Sequence, residues 1–349
     1  MSAPLRRPYL PPEWAPQSGV MLTWPHAHSD WAEDLGAIEA VYIALAREIS
    51  AYERVLIACH DEDLIGIVKQ QLSAAGANIQ HIALHVAASN DTWARDHGPI
   101  TVNIDGEWRL LDFRFNGWGE KYAHALDNAI TDHLHRAGAF GDTRLEAIDL
   151  VLEGGSIEVD GEGTLLTTTR CLLAANRNPG LDQRELENHL RQHLGVERIL
   201  WLQHGEIPGD DTDGHIDTLA RFCDPHTITY VTSEQSRDAC YAELKAMAQQ
   251  LEGFRSATGQ PYRLVPLPSP APIYDSHGKR LPATYANFAI INDAVLVPIY
   301  NDVADEQACA RLASCFPRRK LVAIDARALI QQYGSIHCAL MQLPVGVLP

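Results

Sequence analysis

The sequence predicts a mixed α/β fold: a five-bladed α/β propeller of ββαβ units, forming one domain over residues 1–349. Two observations lead to this prediction. Strand pairs, two of them joined by Asp-Gly turns, recur along the chain, each followed by a helical stretch and a further strand, at a spacing of roughly 50–60 residues. A fifth copy needs segments from both chain ends, which is how a closed ring removes the exposed edges of its sheets.

Four copies of the unit follow one another. Their hairpins are expected at 98–113, 156–168, 216–233 and 287–300, their helices at 120–137, 182–194, 235–252 and 304–314, and their last strands at 145–150, 198–202, 262–268 and 320–325. The fifth combines 335–342 with 19–24, a helix at 31–50 and a strand at 54–59. An open, doubly wound α/β sheet is the alternative, but that fold normally lacks a hairpin in every unit.

Composition narrows the class of partner. The 349 residues carry 28 Lys+Arg against 45 Asp+Glu, a formal net charge of −17, and 46% of them are hydrophobic. This favours a globular protein with a large core and argues against nucleic acid or an anionic membrane as partner. The seven cysteines form no C-x-x-C pair, and prolines interrupt the N-terminus where a signal peptide would be apolar. We therefore expect a reduced, cytoplasmic protein, and the oligomeric state stays open, homo-oligomers included.

Polar and nucleophilic side chains stand at the start of each predicted hairpin. In chain order they are Asp96, Glu153, Asp211 with His215 and Asp217, Asn287, and Cys338. Equivalent positions in a closed ring face the same end of its axis, so these side chains are expected to converge. A cysteine and a histidine far apart in sequence, together with carboxylates, are typical of nucleophilic catalysis.

Each of these residues alone has an ordinary interpretation. Cys338 could be a buried structural thiol and His215 a strand-end histidine bonded to the backbone. The Glu-Gly-Gly at Glu153 could be a plain turn, and the acidic run 210–213 a solvated loop. Their joint occurrence at equivalent positions of the repeat is what favours a site.

The ordered set of motifs resembles the agmatine deiminase family, within a wider group of guanidino-modifying enzymes that includes bacterial peptidylarginine deiminases. The matching segments are PPEWAPQSGVMLTWP, TWARDHGP, FRFNGWGEKY, LEGGSIEVDGEGTLLTT, DDTDGHIDTLARF, NFAIINDAVLVP and SIHCALMQLP. The resemblance implies the pentein fold, a propeller of five ββαβ units, in agreement with the order of elements above.

The resemblance also implies the chemistry: hydrolysis of a guanidinium to a urea with release of ammonia, through a covalent S-amidino-cysteine on Cys338. Asp96 and Asp217 are implied to clamp the guanidinium nitrogens. His215 is implied to protonate the departing ammonia and then to activate water, with Glu153 orienting it.

Asp211 and Trp93 are implied to contact substrate, with no metal or cofactor. Asn287 is a further candidate for substrate binding, and whether it touches substrate or only caps a turn stays open. The expected partner is a small cationic guanidine. An acidic pocket suits agmatine, which is positively charged at both ends, better than arginine, whose α-carboxylate would need a cation. Only Arg95 and Lys121 lie beside the motifs.

The chain departs from the family pattern at three places. The run before Ile-His-Cys is Gln331–Ser335, where Gly-Gly-Gly-Asn is usual, Ala289 replaces a tyrosine, and Glu158 stands where histidine is common. We expect Gln331–Ser335 and the loop 268–283 to form walls of the pocket. Other guanidines, peptidylarginine among them, therefore remain alternative substrates.

Two other classes of function compete with this interpretation. A metal-dependent amidohydrolase would use the H-x-H pair His26 and His28, with His215 and Asp217 as further ligands. Too few strand–helix units are present for the barrel that such enzymes require. A propeller acting only as an interaction scaffold is the second alternative.

Overall fold

Sixteen short strands lie in five small sheets in the computed structural model, which describes residues 7–349. The strands are β1 (Gln17–Thr23), β2 (Arg54–Cys59), β3 (Ile82–Val86), β4 (Ile100–Ile104), β5 (Glu107–Arg114), β6 (Arg144–Val151), β7 (Glu158–Val159), β8 (Thr164–Thr168), β9 (Arg198–Leu202), β10 (Ala220–Asp224), β11 (Thr227–Val231), β12 (Arg263–Leu267), β13 (Ala289–Ile290), β14 (Ala294–Ile299), β15 (Lys320–Asp325) and β16 (Leu340–Pro344). The helices are α1 (Leu35–Ser50), α2 (Glu62–Ala74), α3 (Ala94–His97), α4 (Gly117–Glu120), α5 (Ile130–Arg136), α6 (Thr169–Leu172), α7 (Gln183–Leu194), α8 (Tyr241–Gly253) and α9 (Asp305–Cys315).

Four of the sheets repeat one pattern. An antiparallel pair is followed by a third strand that runs parallel to the second, in the orders β4-β5-β6, β7-β8-β9, β10-β11-β12 and β13-β14-β15. A helix lies between the second and third strands of each, because a parallel connection must cross over the sheet. The predicted ββαβ units are therefore confirmed.

The fifth sheet joins the two chain ends, as predicted. Strand β16 pairs antiparallel with β1, placing Met341 opposite Met21, and β1 pairs parallel with β2. The prediction ended this unit at Cys59, whereas the structure adds α2 and a parallel strand β3. The side chain of Asp61 accepts a hydrogen bond from the backbone N–H of Leu64 and so caps α2. Strand β3 is half exposed, which is why its short sequence gave no clear strand signal.

Helix bounds deviate from the prediction where the chain makes turns. The helix expected at 120–137 is only Ile130–Arg136, and the one expected at 235–252 begins at Tyr241. The helix expected at 182–194 is observed as Gln183–Leu194. It begins with a capping box, in which Asp182 and Glu185 each accept from the other's backbone N–H.

The segments that precede the first strands of the units come together. Helix α3 contacts the turns Gly154–Ser156 and His337–Ala339, and Gly154–Ser156 contacts Ile216–Thr218. Buried apolar side chains of the strands and outer helices pack in two clusters around them. This packing places the starts of the hairpins at a common point. Within residues 7–349, the structure contains no helix long and apolar enough to cross a membrane.

Candidate active site

The five predicted catalytic residues all lie on the turns that meet. Asp96 is in α3, Glu153 precedes the turn Gly154–Ser156, His215 and Asp217 flank Ile216, and Cys338 lies in the turn before β16. All five side chains are buried. The Nδ1 atom of His215 is 3.7 Å from Oδ1 of Asp96, and Sγ of Cys338 is 3.7 Å from Oδ2 of Asp217.

Gly155 allows this close approach. A Cβ atom at this position would lie 2.6 Å from Nδ1 of His215 and 2.8 Å from Oδ1 of Asp96. The backbone N–H of Gly155 instead donates to Oδ1 of Asp96 at 3.0 Å. The Glu-Gly-Gly motif is therefore more than a plain turn, since any larger residue at 155 would push the acid and the histidine apart.

His215 lies fully buried among acidic and thiol groups. Burial disfavours its charge, but Asp96, Cys171 and Glu153 outweigh this effect and hold the pKa of the imidazole well above its usual range. One ligand-type atom each of His215, Glu153 and Cys171 lies within 4.8 Å of the others. Glu153 therefore lies beside His215 without hydrogen-bonding to it, since among residues 7–349 neither ring nitrogen of His215 has a hydrogen-bond partner.

Arg177 is a buried residue of the site that sequence reasoning missed. Its Nε donates to Oε1 of Glu153 at 2.6 Å, and its Nη1 donates to Oδ2 of Asp213 at 2.5 Å. Its Nη2 donates to the carbonyl of Thr212 at 2.9 Å. One guanidinium thus connects the acid beside His215 to the loop that leads into His215. An Asn-Arg-Asn run at 176–178 was the only available signal.

Asn287 contacts both the thiol and the backbone N–H of Cys338. The Nδ2 of Asn287 is 3.2 Å from Sγ of Cys338, and its Oδ1 accepts from the Cys338 backbone N–H at 3.3 Å. Asn287, expected at the substrate, therefore contacts the thiol and does not line the cavity. Burial, together with the carboxylates of Asp217 and Asp96, raises the pKa of the Cys338 thiol well above its usual range.

A cavity of about 270 Å³ opens onto the thiol. Its lining includes Cys338, Asp96, Trp93 and Asp211 from the predicted set, whereas Asp217, His215 and Glu153 lie behind that lining. The other lining residues are Asp30, Asp91, Trp118, Tyr122, Thr212, Gln331, Gln332, Tyr333 and Gly334. Among residues 7–349, no lysine or arginine lines this cavity.

Trp118 also forms a wall of the cavity, although the sequence assigned this residue no role. Its Nε1 donates to Oδ2 of Asp96 at 3.0 Å. Helix α4 is a left-handed turn at this point: Gly117, Trp118, Gly119 and Glu120 all have positive φ, with 55° at Trp118. Left-handed backbone is costly for a tryptophan, so the two flanking glycines of the FNGWGE segment serve to present this indole to the acid.

Asp211 is the outermost of the predicted acids. It accepts from the hydroxyl of Tyr122 at 2.8 Å. Burial, opposed by that hydrogen bond and reinforced by Asp210, raises its pKa to about 6. Lys121 lies on the same loop but is engaged elsewhere, with Nζ donating to the Asp211 carbonyl at 2.6 Å and paired with Asp213 at 2.8 Å.

Of the two segments predicted to form walls of the cavity, one lines it and the other does not. Gln331–Gly334 lines the cavity, and Gly334 is packed so closely that a Cβ there would lie 2.2 Å from the ring of Trp93. The loop 268–283 contributes no lining residue. It supports the wall from outside, because Nζ of Lys279 lies 3.8 Å from the centre of the Tyr333 ring.

Several unpartnered polar atoms lie together in the site. Oδ1 of Asp217, Oε2 of Glu153 and both ring nitrogens of His215 are buried without a hydrogen-bond partner in the part of the chain that the structure describes. Buried polar groups are nearly always paired, so a cluster of free ones beside a thiol indicates a place prepared for a polar ligand.

Two buried groups carry atoms of the kind that ligate metals: Glu153, Cys171 and His215, and Glu13, Glu158 and His337. Arginine side chains already occupy both, since Arg177 pairs with Glu153, and Arg221 pairs with Glu158 and Glu13. The H-x-H pair of the rival interpretation contributes to neither group. Both ring nitrogens of His26 are engaged, one by the hydroxyl of Ser89 and one by the backbone N–H of His28.

Comparison with known proteins identifies the family of this chain. The profile of the Porphyromonas-type peptidyl-arginine deiminase family matches residues 9–344. An agmatine deiminase of Pseudomonas fluorescens is 33% identical over 359 residues, covering 96% of this chain and 95% of the relative.

Solved structures agree over the whole fold. A Porphyromonas gingivalis protein provisionally named an arginine deiminase has a TM-score of 0.91 and 47% identity, covering 98% of this chain and all of the other. A C. jejuni agmatine deiminase variant with substrate bound has a TM-score of 0.90 and 36% identity, covering 98% of each chain. The chain therefore belongs to the Porphyromonas-type peptidyl-arginine deiminase family, and with it to the hydrolases that cleave C–N bonds of linear amidines.

Proposed function

We propose that the protein hydrolyses agmatine to N-carbamoylputrescine and ammonia through a covalent intermediate on Cys338. The observation that carries this proposal is the composition of the cavity: four carboxylates, those of Asp30, Asp91, Asp96 and Asp211, and no cationic side chain among the residues that the structure describes. A dication gains from such a lining along its whole length. An α-carboxylate, as in arginine or a C-terminal arginine peptide, would find no cation to pair with.

The aromatic walls suit the middle of the same molecule. Trp93, Trp118, Tyr122 and Tyr333 line the same cavity as the thiol and the acids. Aromatic faces bind both methylene groups and planar cations. Relatives named agmatine deiminases support this substrate. Because another relative is named for a different substrate, the lining of the cavity is the more direct argument.

The first half-reaction forms a C–S bond between Cys338 and the guanidinium carbon. A guanidinium between Asp96 and Asp217 offsets the two carboxylates that disfavour the thiolate, so substrate binding lowers the pKa of Cys338. Cys338 loses its proton to solvent, and the thiolate attacks the guanidinium carbon to form a tetrahedral adduct. His215, charged in the free enzyme, donates its proton to one amino group. That C–N bond breaks, ammonia leaves, and an S-alkylamidinium remains on Cys338.

The second half-reaction releases the product. Neutral His215 accepts a proton from water, and the hydroxide attacks the amidinium carbon. The C–S bond then breaks, returning the thiolate, and the urea forms with loss of one proton. Glu153 lies close enough to His215 to favour the charged imidazole in each transfer.

The test is mass spectrometry of the products after incubation with agmatine. The reduced full-length protein, dialysed against chelator, is expected to convert agmatine to a product one mass unit heavier. Arginine and a peptide ending in arginine are expected to react far more slowly. Conversion of either in preference to agmatine would replace the proposed substrate. Loss of activity on chelation would instead support the metal-dependent alternative.

A substitution at the outer acid tests the orientation of the substrate. Asp211→Asn is expected to raise KM for agmatine roughly 3–10-fold with little change in kcat, since a partly screened charge attracts the distal ammonium. Butylguanidine, which lacks that ammonium, is the matched control and should be unaffected.

In the wild type, KM for agmatine should rise as pH falls through about 6, because protonation of Asp211 removes its charge. Initial rates at varied pH check both; an equal KM change for butylguanidine would contradict the assignment.

A further inference from the structure

A second row of charged side chains lies behind the site. The Nδ1 of His337 is 2.8 Å from Oδ2 of Asp217, and its Nε2 is 2.7 Å from Oε2 of Glu13. All three side chains are buried. Glu13 belongs to the segment before β1, so these contacts connect it through His337, just before β16, to Asp217 of the guanidinium clamp.

Because of the contact from His337, the two carboxylate oxygens of Asp217 have different surroundings. Oδ2 accepts from His337 and lies 3.7 Å from Sγ of Cys338, whereas Oδ1 is buried and has no hydrogen-bond partner within residues 7–349. A carboxylate without such a contact could rotate and offer either oxygen. Holding Oδ2 leaves Oδ1 free to accept from an N–H group of the substrate.

Glu13 is itself firmly held. Its Oε1 accepts from the backbone N–H of Ile290 at 2.6 Å, and its carbonyl accepts from Nε2 of Gln17 at 2.7 Å. Nη2 of Arg221 pairs with Oε2 of Glu13 at 2.5 Å. The carboxylate therefore has a fixed position from which to orient the imidazole of His337.

The hydrogen bonds also define what His337 does. Nδ1 of His337 donates to Oδ2 of Asp217, because an ionised carboxylate can only accept, whereas Nε2 lies between Oε2 of Glu13 and Nη2 of Arg221, which is 2.9 Å away. Donation from Nδ1 favours the ionised form of Asp217. Although burial opposes ionisation, the pKa of Asp217 lies below its usual range, and the contact from His337 is the largest of the causes that lower it.

We propose that His337 and Glu13 are positioning residues, which hold Asp217 ionised with Oδ1 turned toward the guanidinium. This role rests on the proposed function. Neither residue touches the substrate, so their substitution should weaken recognition of the charged guanidinium more than recognition of the neutral urea. Pre-organising a charged acceptor in this way contributes to binding because the carboxylate need not be ordered when substrate arrives.

The test measures binding by calorimetry in a Cys338→Ser background, where no turnover occurs. Adding His337→Leu is expected to raise the Kd of agmatine ~10-fold or more, as loss of a charge-assisted hydrogen bond does. The Kd of N-carbamoylputrescine should change less than ~2-fold. His337→Asn, whose amide nitrogen mimics Nδ1, should restore agmatine binding to within ~3-fold, and Glu13→Gln should give an intermediate loss.

A double-mutant cycle shows whether His337 acts through Asp217. In an Asp217→Asn background, His337→Leu should have little further effect on agmatine binding. His26→Leu removes another buried imidazole outside this row and should leave both ligands unaffected.

Equal weakening of both ligands, or additive losses in the cycle, would overturn the positioning role. Unchanged agmatine binding in His337→Leu would do the same while leaving the proposed function intact. If the Cys338→Ser protein binds neither agmatine nor another guanidine, the proposed function itself is wrong, and the positioning role falls with it.

Discussion

Replacement of Cys338 by serine is expected to lower kcat for agmatine by on the order of 10⁴-fold or more, as loss of a nucleophile does in enzymes of this kind. The hydroxyl is far less acidic than the thiol, so the first bond to carbon does not form. The Kd of agmatine should stay within about 3-fold of the wild type, because the carboxylates that line the cavity are unchanged.

Intact-mass analysis of rapidly quenched reactions gives the direct measurement. The wild-type protein should gain the mass of agmatine less one ammonia, and Cys338→Ser should gain nothing. Cys309→Ser is the matched control, since Cys309 is a half-buried cysteine on α9 that does not line the cavity. A Cys338→Ser protein that retains the rate of Cys309→Ser would exclude Cys338 as nucleophile.

Arg177→Met is expected to lower the free energy of unfolding by about 3–5 kcal/mol. The side chains of Arg177 and Glu153 are both fully buried, and their 2.6 Å contact is the one hydrogen bond that the Glu153 carboxylate makes with the described residues. Methionine has a similar length but no charge, so Glu153 would remain buried as an unpaired anion. Urea denaturation followed by circular dichroism measures the change.

Two further variants separate this effect from a simple packing change. Arg177→Met with Glu153→Gln should recover part of the stability, because the unpaired anion is gone. Arg114→Met breaks the exposed contact with Asp149 and should cost at most ~1 kcal/mol. If Arg177→Met is no more destabilising than Arg114→Met, the buried pair contributes little to the fold.

The departures from the family pattern have different consequences in the structure. Glu158 pairs with Arg221, a fully buried residue that also donates to the carbonyl of Phe288 at 2.6 Å. This replacement therefore lies in the charged row behind the site. Gln331–Gly334 instead lines the cavity, so this departure is the one that can alter the choice of substrate.

Much of the fold was predictable because its signals are local. The hairpins at 98–113 and 156–168 turn on Asp-Gly, and the helix Gln183–Leu194 carries its capping box in its own sequence. The strand β3 was missed because it is short and half exposed. The helix expected from residue 120 was shortened because its first residues belong to the loop that presents Trp118 to Asp96.

The sequence by itself determined the repeat and the residues at the start of each hairpin, because equivalent positions of a closed ring must face one end. Only the tertiary structure decided the partners of these residues. Arg177 beside Glu153, and Glu13 behind His337, come from segments with no local signal of charge pairing. The reason is physical: a buried charge must find its counter-charge through space, and which segments become neighbours is settled only when the units pack together.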